Sequence, residues 1–325
     1  MTTVSDISST AAATWRDYVG VLRPSQWVKN VVVFAGPAAG LRLTSWDGLL
    51  NASLAFVAFC LAASGTYAVN DAFDRKADAL HPTKRHRPVA RGAISPVFAV
   101  VIGLVLAAAS VAISIWALTY QVTVAIVLYL FMTLAYSVYL KQRMILDVII
   151  IATGFVLRAW AGSLAVGVPT SHWLIACMFT LCLFLGFGKR RCEIAMLADS
   201  DDLAGHRKTL LRYTPDLLNH LITVSAGIAI ITFLLYTLDK SSTPGPDFPK
   251  EHLFYTLPIV VYGIFRYAML TELGDHAGPT EIVLNDKALI MTIILWAVIA
   301  LTVAYQKELL GPAGIAGWLQ NLMPR

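Results

Sequence analysis

Long apolar runs alternate with short polar breaks along almost the whole chain. Nine runs have the length and polarity of membrane-spanning helices, near residues 26–42, 48–70, 96–117, 119–139, 145–166, 172–188, 217–238, 252–271 and 286–305. A helix needs about 20 apolar residues to cross a bilayer, and it satisfies its own backbone groups while doing so. The first run is the most interrupted, by Lys29, Asn30 and Pro37. Residues 1–20 are polar and lack the apolar stretch of a cleavable signal peptide. The segment 239–251 is rich in turn formers, and the tail 306–325 is expected to lie on the surface as a short amphipathic piece. The pattern predicts one all-α membrane domain over 1–325, with about nine transmembrane helices.

Composition agrees and removes other classes. Apolar residues make up 57% of the chain, charged residues 14%, and the mean hydropathy is +0.67. Soluble domains carry roughly 25% charged residues. A soluble globular enzyme, a disordered protein and a nucleic-acid-binding domain are thereby excluded. The four cysteines (Cys60, Cys177, Cys182 and Cys192) form no CxxC pair and read as buried free thiols.

The net charge of +5 acquires meaning from its placement. With the N-terminus inside, 20 of the 25 Lys and Arg residues fall inside or toward that side, and five outside. Positive loops stay cytoplasmic. The split predicts a multi-pass protein of the plasma (inner) membrane, with loops 71–95 and 189–216 facing the cytoplasm.

Those two loops also carry acids. Asn70, Asp74 and Asp78 are four residues apart, and each such step turns an α-helix by about 400°. They therefore share one stripe, with Asp71 beside it. Carboxylates this close repel unless a cation intervenes, and all-oxygen ligands suit magnesium. A solvated helix end balanced by Arg75 and Lys76 is the plainer alternative. The following stretch 81–92 holds His81, Lys84, Arg85, His86, Arg87 and Arg91. Acids and bases in succession can grip a magnesium diphosphate from both sides.

NDAFDRKAD followed by RPVARGAIS resembles the first signature of the UbiA superfamily of intramembrane prenyltransferases. The resemblance runs from RPSQWVKN at 23–30 to the last span. It implies nine helices around a central cavity open toward the membrane, and magnesium-assisted departure of diphosphate. Asn70, Asp71, Asp74 and Asp78 would hold the metal, and the three acids would be catalytic. Relatives carry a second acidic stripe after span 6. Here that stretch reads FGKRRCEIAMLADSDD, with Lys189, Arg190 and Arg191 where acids are expected and Glu193 as the nearest carboxylate. Asp199, Asp201 and Asp202 follow, with no pair spaced by four. This basic version, with RPSQWVKNVVVFA and GPTEIVLND, is similar to one branch, the decaprenyl-phosphate phosphoribosyltransferases of mycobacteria and corynebacteria.

That branch implies transfer of 5-phosphoribose from phosphoribosyl diphosphate to a polyprenyl (decaprenyl) phosphate in the bilayer, releasing diphosphate. The product would lie on the way to a lipid-linked arabinose donor for cell-wall arabinan. Bases can neutralise two anionic substrates where a prenyltransferase needs carboxylates. Lys84, Arg85, Arg87, Lys189, Arg190 and Glu193 are the candidate contacts, joined by Lys29, Arg158 and Arg266 within spans, where charge is costly and points to function. Tyr67, one turn before Asn70, is a candidate for the ribose site. Asp147 is expected to pair with Arg143 or to cap its helix. No nucleic-acid partner is expected, and a homo-oligomer stays open. A prenyltransferase with an aromatic or lipid acceptor is the first rival, and a non-enzymatic transporter the second.

Overall fold

The computed structural model describes residues 13–80, 84–198, 213–239, 249–273 and 278–306. The described residues are helical throughout, without strands. After α1 (Trp15–Leu22), the chain enters a 3₁₀ helix (Pro24–Phe34) and a short α2 (Ala35–Ala39). Then come α3 (Trp46–Leu80), α4 (Pro96–Ala117), α5 (Tyr120–Val138), α6 (Leu146–Ala165), α7 (His172–Ala198) and α8 (Pro215–Leu238). A second 3₁₀ stretch (Lys250–Thr256) leads into α9 (Leu257–Leu273), followed by α10 (Pro279–Asn285) and α11 (Lys287–Ala304). Local signals set these ends. Ser95 and Thr214 cap α4 and α8, each with proline in the first turn, and Asp286 caps α11.

Eight helices are long and apolar enough to cross a membrane among the described residues. They match the expected second to ninth spans. The expected first span differs, because it is not one α-helix. Its path can still be traced. Arg23 pairs with Asp71, Asn30 reaches Cys60, and a Cβ on Gly48 would meet the carbonyl of Arg42. Residues 23 to 42 thus run antiparallel to α3 along its whole apolar length. An eleven-residue 3₁₀ helix rises about 22 Å and five α residues about 7 Å, together the thickness of a bilayer core. The first span is a ninth crossing of unusual winding.

Two apolar cores fill the bundle. One joins the first crossing to α3, α5 and α6 through Val33, Phe59, Ile126, Tyr129 and Leu157. The other joins α6 to α7, α8, α9 and α11 through Val148, Phe184, Leu218, Ile264, Tyr267 and Leu289. A smaller cluster, including Phe233, Leu253, Ala304, Ala39 and Leu41, ties the last helix to the end of the first crossing. Small residues permit the closest approaches: a Cβ on Gly65 would sit 2.6 Å from the Gly103 carbonyl oxygen. Large apolar side chains on α4, α5 and α11 face outward, as lipid contact requires; Leu104, Phe131 and Met291 are examples.

α3 and α7 each continue about ten residues past their expected apolar ends. These extensions carry the two charged signatures on the same side of the bundle.

Candidate functional site

The α3 extension presents the acidic stripe as a helix surface. Asp71 and Asp78 are buried, and Asp74 is half-buried. Every carboxylate meets a base. Asp71 pairs with Arg23 and, at 3.2 Å, with Arg87. Arg87 also reaches Asp78 at 2.6 Å. Asp74 pairs with Lys141, and Asn70 donates to it at 3.1 Å. Arg23 further lies over the Tyr67 ring, 5.1 Å from its centroid. These contacts form two networks on the same helix end: Tyr67, Arg23, Asp71, Arg87 and Asp78 in one, and Asn70, Asp74 and Lys141 in the other. Lys84 and Arg85 sit in a short turn beside them, Lys84 half-buried and Arg85 exposed. His81 lies outside the described residues.

Two members escaped the sequence reading as site residues. Arg23 opens RPSQWVKN, and Lys141 lies in the short α5–α6 connection. Lys141 is 67 positions from Asp74, so no local pattern announces the pair. From outside, Arg91 pairs with Asp17 of α1 and holds the basic loop. The Thr14 backbone N–H and the Arg91 guanidinium keep the Asp17 carboxyl below its ordinary range.

On the second signature, three neighbours behave differently. Arg190 is buried, donating to Asp147 at 2.9 Å and to Glu193 at 2.5 Å. Asp147 also accepts from the Tyr213 hydroxyl at 2.9 Å, and burial pushes that phenol above its usual pKa. This corrects the expected Asp147–Arg143 pair, since Arg143 turns back onto Tyr139. It also corrects Arg190 as a phosphate ligand, because a buried guanidinium between two carboxylates is already neutralised. Lys189 is half-exposed, with its ammonium 3.8 Å from Glu193. Arg191 donates to Asn219 at 3.3 Å. Asp199, Asp201 and Asp202 lie outside the described residues.

Within the spans, Arg266 forms a two-pronged pair with Asp286, at 2.8 and 3.2 Å, and so ties α9 to the cap of α11 rather than facing a phosphate. Arg158 is 5% exposed. It donates to Asn30 at 2.7 Å, to the Gly154 carbonyl at 2.8 Å and to the Tyr129 hydroxyl at 2.8 Å. These contacts are to protein groups, against the expectation of a phosphate contact. Lys29 is exposed on the first crossing.

Among the described residues no three His, Cys, Asp or Glu side chains gather into a ready-made metal cluster. The stripe nonetheless suits magnesium, which binds through one or two carboxylates and leaves its other positions to water and phosphate oxygens. Asp71 Oδ2 is buried and accepts no hydrogen bond. A buried oxygen without a donor is costly, and a hard cation would satisfy it.

Residues 31–283 match the UbiA prenyltransferase family. The chain is 35% identical to the decaprenyl-phosphate phosphoribosyltransferase of Mycolicibacterium smegmatis over 286 residues, 86% of this chain and 89% of that one. It is likewise 35% identical to the enzyme of that name in Mycobacterium tuberculosis, over 88% of this chain and 94% of its relative. A solved UbiA homolog from Archaeoglobus fulgidus, bound to DMAPP and Mg2+, has the same fold at a TM-score of 0.68, with 17% identity over 89% of this chain and 98% of that one.

Proposed function

The chain belongs to the UbiA prenyltransferase family, and on that premise we propose that it is a decaprenyl-phosphate phosphoribosyltransferase acting in a membrane. It is a transferase that moves 5-phosphoribose from phosphoribosyl diphosphate onto a polyprenyl phosphate. The observation that carries the reading is the pairing of one carboxylate stripe with one basic signature. Lys189, half-exposed beside Glu193, stands in the signature where prenyltransferase relatives are expected to place acids. Two anionic substrates call for that exchange; a prenyl diphosphate and an apolar acceptor do not.

Asp71, Asp74 and Asp78, with Asn70, form the metal-facing surface. They would hold a magnesium ion, which would supply positive charge toward a departing diphosphate. Arg23, Arg87 and Lys141 already border the same carboxylates and can donate to diphosphate oxygens, with Lys84 and Arg85 at the rim. The bond between the anomeric carbon and the diphosphate oxygen breaks, and its electron pair leaves with diphosphate. The ribose gains oxocarbenium character. An oxygen of the lipid phosphate attacks the opposite face and inverts that carbon. This oxygen is ionised near neutral pH, so no general base is required. Lys29 and Lys189 orient the lipid phosphate, and Tyr67 borders the ribose. The charge split supports a site at the cytoplasmic face of the plasma membrane, where a soluble donor is available.

The test is donor choice. The purified protein should bind phosphoribosyl diphosphate with magnesium far more tightly than without it, and more tightly than a prenyl diphosphate. Preference for the prenyl diphosphate would favour the prenyltransferase rival instead.

A further inference from the structure

The first crossing is wound at three residues per turn for eleven residues. Runs of 3₁₀ helix beyond three or four residues are uncommon, because their hydrogen bonds are poorer. Something outside the backbone must hold this one. Residues three apart eclipse in such a helix, so the crossing has three straight faces.

One face is buried. Trp27 donates to Ser64 at 3.0 Å, Asn30 is fully buried against Cys60 and Arg158, and Val33 is fully buried. The next face looks outward, with Val28 68% and Val31 52% exposed. Gln26 and Lys29 stack on the third. Just before the helix, Arg23 pairs with Asp71 and takes a left-handed backbone at φ 50°. A non-glycine residue held there is uncommon and is found where surrounding structure enforces it.

The winding decides where Lys29 points. Relaxation from 120° to 100° per residue would turn Lys29 by about 100° relative to Pro24 over five residues. That rotation carries it from the third face onto a neighbouring one. The anchor opposing it is Arg158, whose Nε donates to Asn30 Oδ1 at the middle of the crossing. Arg158 is itself fixed by the Gly154 carbonyl and the Tyr129 hydroxyl, and it lies 4.6 Å from the Tyr129 ring centroid.

We propose that Arg158 is a positioning residue: by pinning Asn30 it keeps the first crossing in its 3₁₀ winding. It thereby holds Gln26 and Lys29 as a polar ladder for the acceptor's phosphate. Gln26 becomes a further contact for that anion. The inference rests on the phosphoribosyltransferase reading, which supplies the anionic acceptor. It also separates two roles for Arg158. A phosphate ligand acts beside Lys29, whereas a positioning residue acts through it.

A double-mutant cycle distinguishes these roles. Wild type, Lys29→Gln, Arg158→Gln and the double variant are assayed with phosphoribosyl diphosphate and polyprenyl phosphate. A charged hydrogen bond is worth roughly tenfold or more in affinity, so each single change should raise KM for the lipid about tenfold with a smaller effect on kcat. The double variant should be no worse than the poorer single. Arg158→Lys keeps the charge but loses the planar fork, and it should fail to restore KM. Additive losses of about a hundredfold, or an unchanged KM in folded Arg158→Gln, would overturn the proposal. If Arg158→Gln does not fold, Tyr129→Phe removes one anchor bond and should show the same non-additivity at smaller size; additivity there overturns it equally. A wild type without phosphoribosyl transfer would instead overturn the functional reading, and the ladder's role with it.

Discussion

Lys189 and Arg190 are adjacent in sequence, yet the structure gives them opposite consequences. Arg190 sits buried between Asp147 and Glu193. Removing it leaves the buried Asp147 carboxylate without its counter-charge, which costs about 3–5 kcal/mol. Arg190→Ala should therefore show its effect in a thermal melt or in folded yield, before any kinetic assay. Lys189→Ala should melt like the wild type and raise KM for an anionic substrate roughly tenfold. The reverse pattern would exchange their assignments. The acids make a third case. Asp74→Asn and Asp78→Asn should insert and fold but lose turnover by about a hundredfold or more, since metal stabilisation of a leaving group is worth several kcal/mol. Near-normal rates for both at saturating magnesium would remove the metal role of the stripe. The residue types and spacing of Asn70, Asp74 and Asp78 were legible in the sequence because one helix carries all three. The partners of Arg190 and Arg266 were not, because Asp147 lies 43 positions from the one and Asp286 20 from the other.

At the scale of elements, hydrophobic periodicity located the second to ninth crossings closely, since lipid imposes a length that composition records directly. The first crossing resisted the same reasoning. Lys29, Asn30 and Pro37 made it look like a weak α-helix, and an α-helical wheel separates Gln26 from Lys29 by about 60°. Only the three-residue period aligns them. The crossing also depends on a glycine. A Cβ on Gly162 of α6 would sit 1.7 Å from the Val33 carbonyl oxygen, and a backbone atom cannot rotate aside. Gly162→Ala should push the crossing off α6 at a cost of about 1–3 kcal/mol. A lowered melting temperature, together with a raised KM for the lipid, is the expected result. An unchanged melt would mean that the crossing is not docked there.

Across the whole molecule, both signatures lie on one rim because an even number of crossings separates the end of α3 from the end of α7. The irregular first crossing does not disturb that relation, but it does set on which side the N-terminus lies. Charge placement predicts the cytoplasmic side for both loops. Thiol labelling of single cysteines placed at Arg85 and at Asp216 should find both shielded from an impermeant external reagent in intact cells. Labelling of either from outside would contradict a cytoplasmic donor.

The central claim is the transfer itself. Membranes or purified protein are incubated with phosphoribosyl diphosphate labelled in the ribose and with polyprenyl phosphate, and the lipids are then extracted. Label should appear in a polyprenyl phosphate lipid, depend on added magnesium, and vanish with a chelator or with Asp74→Asn. Label that stays in the aqueous phase with wild-type protein, while a prenyl group from prenyl diphosphate reaches an aromatic or lipid acceptor, would contradict the account.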